Sequence, residues 1–335
     1  MITFELTADD LTHFRFGYSP LIELSSAYRA LHKMSCGVPS APPYWLNKQW
    51  VAEAQQAIAG MEFPYLQAVC TLPHYIPDFL TPTPETTVRD IEEEFAWMQA
   101  LDDETLRRFM CEAIEFSRNE PAPLFHSILM NPRHGIRIII QECRMFWERT
   151  LAAHWPQMMT MLDNDILYRG RQLALEGSAR MIRDLDPELT LFSSRIEYEA
   201  SHKPQTDERV HLQGEGIRLV PSLFLNHVMW QANTTLKPMI IYHARGSGLW
   251  YRPEEPCPNS ALETTLGEGR AHVLQTLLTP ASPTEIAQQL QITAGAASQH
   301  LRKLGEAGLV ESQRLGKRVY YRLSERGERL LALFG

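Results

Sequence analysis

The chain has 335 residues, 44% of them hydrophobic and 21% charged, with a formal net charge of −8. That length exceeds one ordinary domain, so two domains and a sizeable core are expected. No run approaches the roughly 18 apolar residues of a membrane span, and MITFELTADD lacks a basic region followed by an apolar core, so we expect a cytoplasmic protein with no membrane partner.

The first 186 residues read mainly as helix. Apolar residues at spacings of three and four mark helices over Ser19 to His32, Tyr44 to Ile58, Val88 to Leu101 and Asp103 to Phe116, with Pro-rich breaks such as TPTPE between them. In GIRIIIQECRMFWERTLAAHW, the residues Ile136, Ile139, Cys143, Phe146 and Thr150 share one face, as in a buried helix. From Leu189 to about Arg245 the pattern turns strand-like, in LTLFSSRIEYEA, ERVHLQ, GIRLVPSLFL and KPMIIYHARG. We therefore expect an α+β fold: a mainly helical N-terminal domain over 1–250, with a small β-sheet packed on its helices.

Sites for chemistry are scarce in this region. The cysteines Cys36, Cys70, Cys111, Cys143 and Cys257 are odd in number and have no close pair, which argues against a disulfide framework and a CxxC site. The histidines show no H-E-x-x-H spacing. QGEGI, Gln213 to Ile217, contains G-x-G but precedes a strand, which fits a hairpin turn and not a nucleotide loop. ARGSGLW lacks the spacing of a G-x-S-x-G nucleophile. Trp45, Trp97, Trp147, Trp155, Trp230 and Trp250 are expected in core packing ahead of an effector cavity. No catalytic residue, cofactor or metal is expected.

YRPEEPCPNS, residues 251–260, reads as a linker. After it, GEGRAHVLQTLL forms a helix with Val273, Leu274, Leu277 and Leu278 inward. Ser282, Pro283, Thr284 and Glu285 have the form of a capping box at the start of a second, short helix. Gln291, Ile292 and Thr293 then turn the chain. Thr293 caps a third helix, where Ala297, Leu301 and Leu304 point inward and Gly308 ends it. Two β-prone runs, Leu309 to Gln313 and Val319 to Leu323, surround a basic tip of Arg314, Leu315, Gly316, Lys317 and Arg318. Three helices and a basic hairpin make a winged helix-turn-helix domain over 261–335.

Charge supports that assignment. Residues 261–335 hold nine Lys+Arg and seven Asp+Glu, or +2, which leaves −10 on the preceding chain. Between Ala294 and Leu323, six basic residues stand against two acidic ones. The positive charge surrounds the third helix and the hairpin. Such a helix fits the major groove, where Gln299 and Arg302 reach base edges while Arg314, Lys317 and Arg318 meet phosphates or the minor groove. Thr293, Ser298, His300, Lys303 and Tyr320 join them as candidate DNA contacts, and Ala294 and Ala296 are small enough to meet a thymine methyl.

EIAQQLQITAGAASQHLRKLGEAGLVESQRLGKRVYYRLS, Glu285 to Ser324, resembles the DNA-binding core of the ArsR-type bacterial transcriptional regulators. The likeness rests on Ile286, Ala287, Leu290, Ser298, His300, Leu301, Leu304, Ala307, Gly308, Leu309, Val310, Tyr320, Tyr321 and Leu323. The preceding chain resembles the long N-terminal region of a subgroup of these proteins, a likeness that brings no ligand or activity with it. Metal-sensing relatives place cysteine pairs on the helix that here reads PTEIAQQL, so metal sensing there is not expected.

The resemblance and the charge imply a homodimeric regulator, a repressor at a palindromic operator. Two recognition helices spaced about one DNA turn (~34 Å) read more than one can. Expected partners are double-stranded DNA, a second copy of the chain and a candidate small-molecule effector of unknown identity. The alternative is an enzyme, for example methyltransferase-like, that uses the winged helix to dimerise. It calls for a G-x-G loop between strand and helix and a catalytic base, and neither is found.

Overall fold

The computed structural model describes the chain apart from residues 8, 11–12, 37–45, 73–74, 89, 118–121, 200–207, 213, 226, 232–235, 248–259, 279, 316–317 and 335, and the side chains at 36, 260–261, 313–315, 318, 332 and 334. It separates into two compact units, Met1–Ser40 with Ala52–Ala244 and Ala41–Val51 with Arg245–Gly335. No helix among the described residues is long and apolar enough to cross a membrane.

The first unit begins with β1 (Ile2–Glu5) and β2 (Phe14–Phe16) and continues into α1 (Pro20–Cys36). α2 (Lys48–Ala57) spans the division along the chain; α3 (Pro64–Cys70), α4 (Ile91–Ala100), α5 (Asp103–Ser117), α6 (Pro123–Met130), α7 (Pro132–Thr150), α8 (Trp155–Glu176) and α9 (Ser178–Leu185) follow. Then come β3 (Leu189–Leu191), β4 (Arg195–Tyr198), β5 (Glu208–His211), β6 (Ile217–Ser222), β7 (Met229–Gln231) and β8 (Met239–His243). α7 shows why the helical reading works. Asn131 accepts the His134 amide at 3.3 Å, Pro132 opens the first turn, and Ile136, Ile139, Cys143, Phe146 and Thr150 are all buried. The start expected for α2 at Tyr44 lies outside the described residues.

The strands correct two expectations. β1 and β2 lie in the stretch read as helical, and the strands form two sheets of four, ordered β3-β4-β1-β5 and β2-β6-β8-β7. β1 pairs antiparallel with β4 and parallel with β5, while β2 pairs parallel with β6. Both N-terminal strands are too short for a clear period, and their partners lie at the far end of the unit. QGEGI is not a hairpin turn either, because β5 and β6 belong to different sheets. Gly214 and Gly216 do adopt positive φ, and the Gly216 amide donates to Asp10 Oδ1 at 2.8 Å. β6, central and buried along its whole length, shares one core with both sheets and α9 through Ile2, Phe4, Ile182, Ile196, Leu219 and Ile240. Trp147 and Trp155 pack edge to face at 5.3 Å, and Trp230 packs on Tyr198; Trp45 and Trp250 lie outside the described residues.

Three buried carboxylates hold helix starts and a strand end of this unit in place. Glu94 of α4 accepts the Leu21 amide in the first turn of α1 at 2.7 Å. Glu142 of α7 likewise accepts the Leu66 amide at the start of α3 at 2.7 Å. These amides have no intrahelical acceptor, so a distant carboxylate adds to the local Ser19 cap of α1 and stands in for an absent side-chain cap at α3. Glu23 accepts the Leu223 amide beyond β6 through both oxygens, at 3.0 and 3.2 Å.

The second unit holds α10 (Ser260–Leu266), α11 (Glu268–Thr276), α12 (Pro283–Gln289), α13 (Ala294–Glu306), the hairpin β9 (Val310–Leu315) and β10 (Arg318–Leu323), and α14 (Glu325–Phe334). The expected linker lies almost wholly outside the described residues; its last residue, Ser260, already begins α10. α10 and α14 were not anticipated.

Burial pushes the Glu23 carboxyl up to about 8 and Glu94 up to about 7, against an ordinary value of 4.5. Folded protein therefore keeps protons that the unfolded chain has released, and these groups make stability fall as pH rises from about 4.5 to about 8. Urea midpoints for wild type and Glu23→Gln at pH 6.5 and 8.5 should differ in their pH slope, with the variant losing less at the higher pH. Equal slopes would show that Glu23 does not carry this linkage.

Candidate nucleic-acid interface

α12 opens on the expected capping box. The Ser282 amide donates to Glu285 Oε2 at 2.7 Å and the Glu285 amide donates to Ser282 Oγ at 3.4 Å, with Pro283 in the first turn. The turn that follows places Gln291 at φ +54, the one non-glycine with positive φ among the described residues. This left-handed corner lets the Ile292 amide return to the Ala287 carbonyl at 3.0 Å, and the chain leaves it aimed into α13.

α13 is fixed at both ends and along one side. Thr293 Oγ1 accepts the Ala296 amide at 3.1 Å. Ala297 and Leu301 are fully buried and Leu304 is 1% exposed, in a core completed by Val273, Leu274, Leu277 and Ile286. Gly308 takes φ +69, and the Leu309 amide donates to the Leu304 carbonyl at 2.9 Å, which closes the helix. A small residue, two leucines, a threonine and a glycine thus determine where the opposite face points.

That face carries the expected side chains. Thr293, Ala294, Ser298, Gln299, Arg302 and Lys303 are exposed, and Ala296 is half-buried. A Cβ added at Gly295 would meet nothing nearer than Thr293 Oγ1 at 3.9 Å, so the bare start of the helix is open surface. Arg302 Nε stands 3.9 Å from Glu306 Oε1, both side chains well exposed. His300 is turned elsewhere. Half-buried, its ring covers Gly269 of α11 so closely that a Cβ there would stand 2.7 Å from Nε2.

The hairpin differs from the expected one in extent. Its strands run to Leu315 and resume at Arg318, so Arg314 and Arg318 belong to strand ends and pair with Val319 and Leu315. Lys317 lies outside the described residues, as do the side chains of Arg314 and Arg318. Tyr321 exchanges both backbone hydrogen bonds with Ala281, at 2.9 and 3.1 Å, adding the segment before α12 to the hairpin edge. Tyr320, the tyrosine placed at the DNA, is only 9% exposed, which leaves its ring little access to a phosphate. Arg322, one of the six basic residues between Ala294 and Leu323, donates to Glu311 across the hairpin at 2.9 Å. Both acids of the segment are therefore opposite arginines, Glu306 beside Arg302 and Glu311 beside Arg322.

The protein family described as Helix-turn-helix domain matches residues 270–313, from α11 through most of β9. No curated protein matches the chain. The C-terminal unit thus contains a helix-turn-helix domain, and the match supports a DNA-binding regulator.

The hairpin is held against α14 by a close approach that only glycine permits. Ser324 Oγ donates to the Gly308 carbonyl at 2.6 Å and accepts the Gly327 amide at 3.1 Å, and a Cβ on Gly327 would run into the Leu309 carbonyl oxygen. Gly to Ala in a helix ordinarily gains about 1 kcal/mol. Here we expect Gly327→Ala to lose about 1–3 kcal/mol by displacing backbone that cannot give way. A stabilised variant in denaturant unfolding would contradict the packing described.

Proposed function

We propose that this protein is a non-catalytic transcriptional regulator of the ArsR-like kind, a homodimeric repressor that binds a palindromic operator through its helix-turn-helix domain. The observation that carries this reading is the exposed row Ser298, Gln299, Arg302 and Lys303 on α13, opposite a fully buried seat and beside a hairpin rich in basic residues. A helix about 12 Å across enters the major groove, where an arginine or a glutamine reads base edges. The exposed Arg302–Glu306 pair is weak in water and yields readily to a base or phosphate. Ser298 and Lys303 are placed for phosphate contacts, and the sequence offers Arg314, Lys317 and Arg318 for the same role, whereas His300 and Tyr320 serve the packing of the domain.

An effector has a candidate place in the first unit, a cleft of about 520 Å³ among α1, α2 and α3. Tyr28, Leu31, Ile58 and Phe63 give it apolar walls, and His32, Gln55 and Glu62 supply polar groups.

Electrophoretic mobility shifts with genomic fragments test the reading as a whole and yield the operator. On that operator, Arg302→Ala should weaken binding by roughly 1–3 kcal/mol and relax one base position. Unchanged affinity and sequence preference would remove Arg302 from the interface.

Gly295→Gln tests depth of entry. The free protein has room for the side chain, and glutamine is the better helix former, so thermal stability should hold or rise. Operator affinity should nonetheless fall about tenfold or more, the scale of one lost base contact. Undiminished affinity would mean that the start of α13 stays outside the groove.

A further inference from the structure

α8 carries two exposed leucines on the side away from its buried row. Leu167 is 70% exposed and Leu175 56%, whereas Met158, Leu162, Asp165, Tyr168, Arg169 and Gln172 face the core. The buried side is firmly held: Tyr242 donates to Asp165 Oδ2 at 2.6 Å, and Arg169 donates to Asp184 Oδ2 of α9 at 2.5 Å. Nothing in that network requires leucines on the outer side.

The outer face is complementary to itself about Leu167. Four residues before it stands Asp163 and four after it Arg171; three before is Asn164 and three after Gly170; eight before is Met159 and eight after Leu175. Each pair matches an acid with a base, a polar residue with a gap, or an apolar residue with another. Gly170 is open, since a Cβ there would meet no atom within 4 Å.

We propose that α8 is a self-association surface of the first unit, on which two copies cross antiparallel about a two-fold axis at Leu167. This rests on the homodimeric reading and names a surface for it. Each Leu167 then meets its own counterpart, and each Asp163 lies about 6 Å along the helix from the axis, level with Arg171 of the other copy. Met159 meets the counterpart of Leu175, and Gly170 lets the backbones draw close. A parallel crossing would instead set Asp163 against Asp163 and Arg171 against Arg171. Charge thus selects one orientation, and the two-fold contact closes on itself without leaving a surface for further copies. An apolar centre flanked by charged pairs is also the usual anatomy of a specific interface.

Sedimentation equilibrium of the full chain tests this. Wild type should form a dimer. Asp163→Arg or Arg171→Asp alone places like charges opposite each other twice per dimer and should raise the dimer Kd about tenfold or more. Combining the two restores opposite charges and should restore the dimer. Leu167→Arg should dissociate it while the far-ultraviolet circular dichroism stays that of wild type. A wild-type dimer that none of these variants weakens overturns the α8 surface and leaves the homodimeric reading standing. A double variant that stays dissociated overturns the antiparallel register. A wild-type monomer at every concentration reached overturns both the surface and the dimer.

Discussion

The outer face of α13 is defined by what its inner face buries. Thirteen residues in isolation are marginal as a helix, so α13 owes its persistence to the packing of Ala297, Leu301 and Leu304 against α11 and α12. That packing fixes rotation about the helix axis, the Thr293 cap fixes the start, and Gly308 fixes the end. With all three set, the backbone presents Ser298, Gln299 and Arg302 on one exposed face. Groove binding gains from a recognition helix already in place, because less order remains to be imposed on contact. The positive φ at Gln291 belongs to the same constraint, since it sets the angle at which α12 hands the chain to α13.

Electrostatics acts on that frame more sparingly than composition indicates. Six basic residues between Ala294 and Leu323 look like a uniform patch. Glu306 and Glu311 subdivide it, one beside an exposed arginine of the helix and the other beside Arg322, whose side chain is 16% exposed. The Arg322 pair ties the two strands of the hairpin together, a structural role that leaves the outer basic residues to set the field. Against the acidic remainder of the chain, that field is local and extends about a Debye length, roughly 8 Å at physiological ionic strength.

Local features of this domain were legible in the sequence. Capping box, turn, N-cap and terminal glycine are all short-range, and the i, i+4, i+7 spacing of Ala297, Leu301 and Leu304 fixes the buried side before any partner is known. What escaped depends on distance along the chain. β1 pairs Ile2 with Tyr198 and Glu208, and β2 pairs Phe14 with Ile217, so neither strand is defined without the far end of the unit. The caps supplied by Glu94 and Glu142 are invisible for the same reason: each residue is an ordinary helical glutamate until its distant amide arrives. QGEGI failed differently. Its glycines announce positive φ, but the sign of a dihedral does not say which sheet the next strand joins. Gly327 likewise reads as a weak point in a helix until Leu309 is found against it.

The same distinction bears on α8. Its sequence places leucines on more than one side, and only burial shows that Leu162 faces the core while Leu167 does not. Once the covered side is known, the symmetry of the uncovered side becomes meaningful, because a two-fold contact requires a surface to complement itself and most surfaces do not. A palindromic operator imposes the same two-fold symmetry on whatever binds both halves. On the homodimeric reading, association and operator binding are then linked equilibria: a dimer engages two half-sites at once, and what loosens the free and DNA-bound dimer alike weakens assembly of the complex from monomers by the same free energy. On that proposal, an effector would need no contact with α13 to release DNA. It would be enough that it bound the first unit differently in its monomeric and dimeric forms.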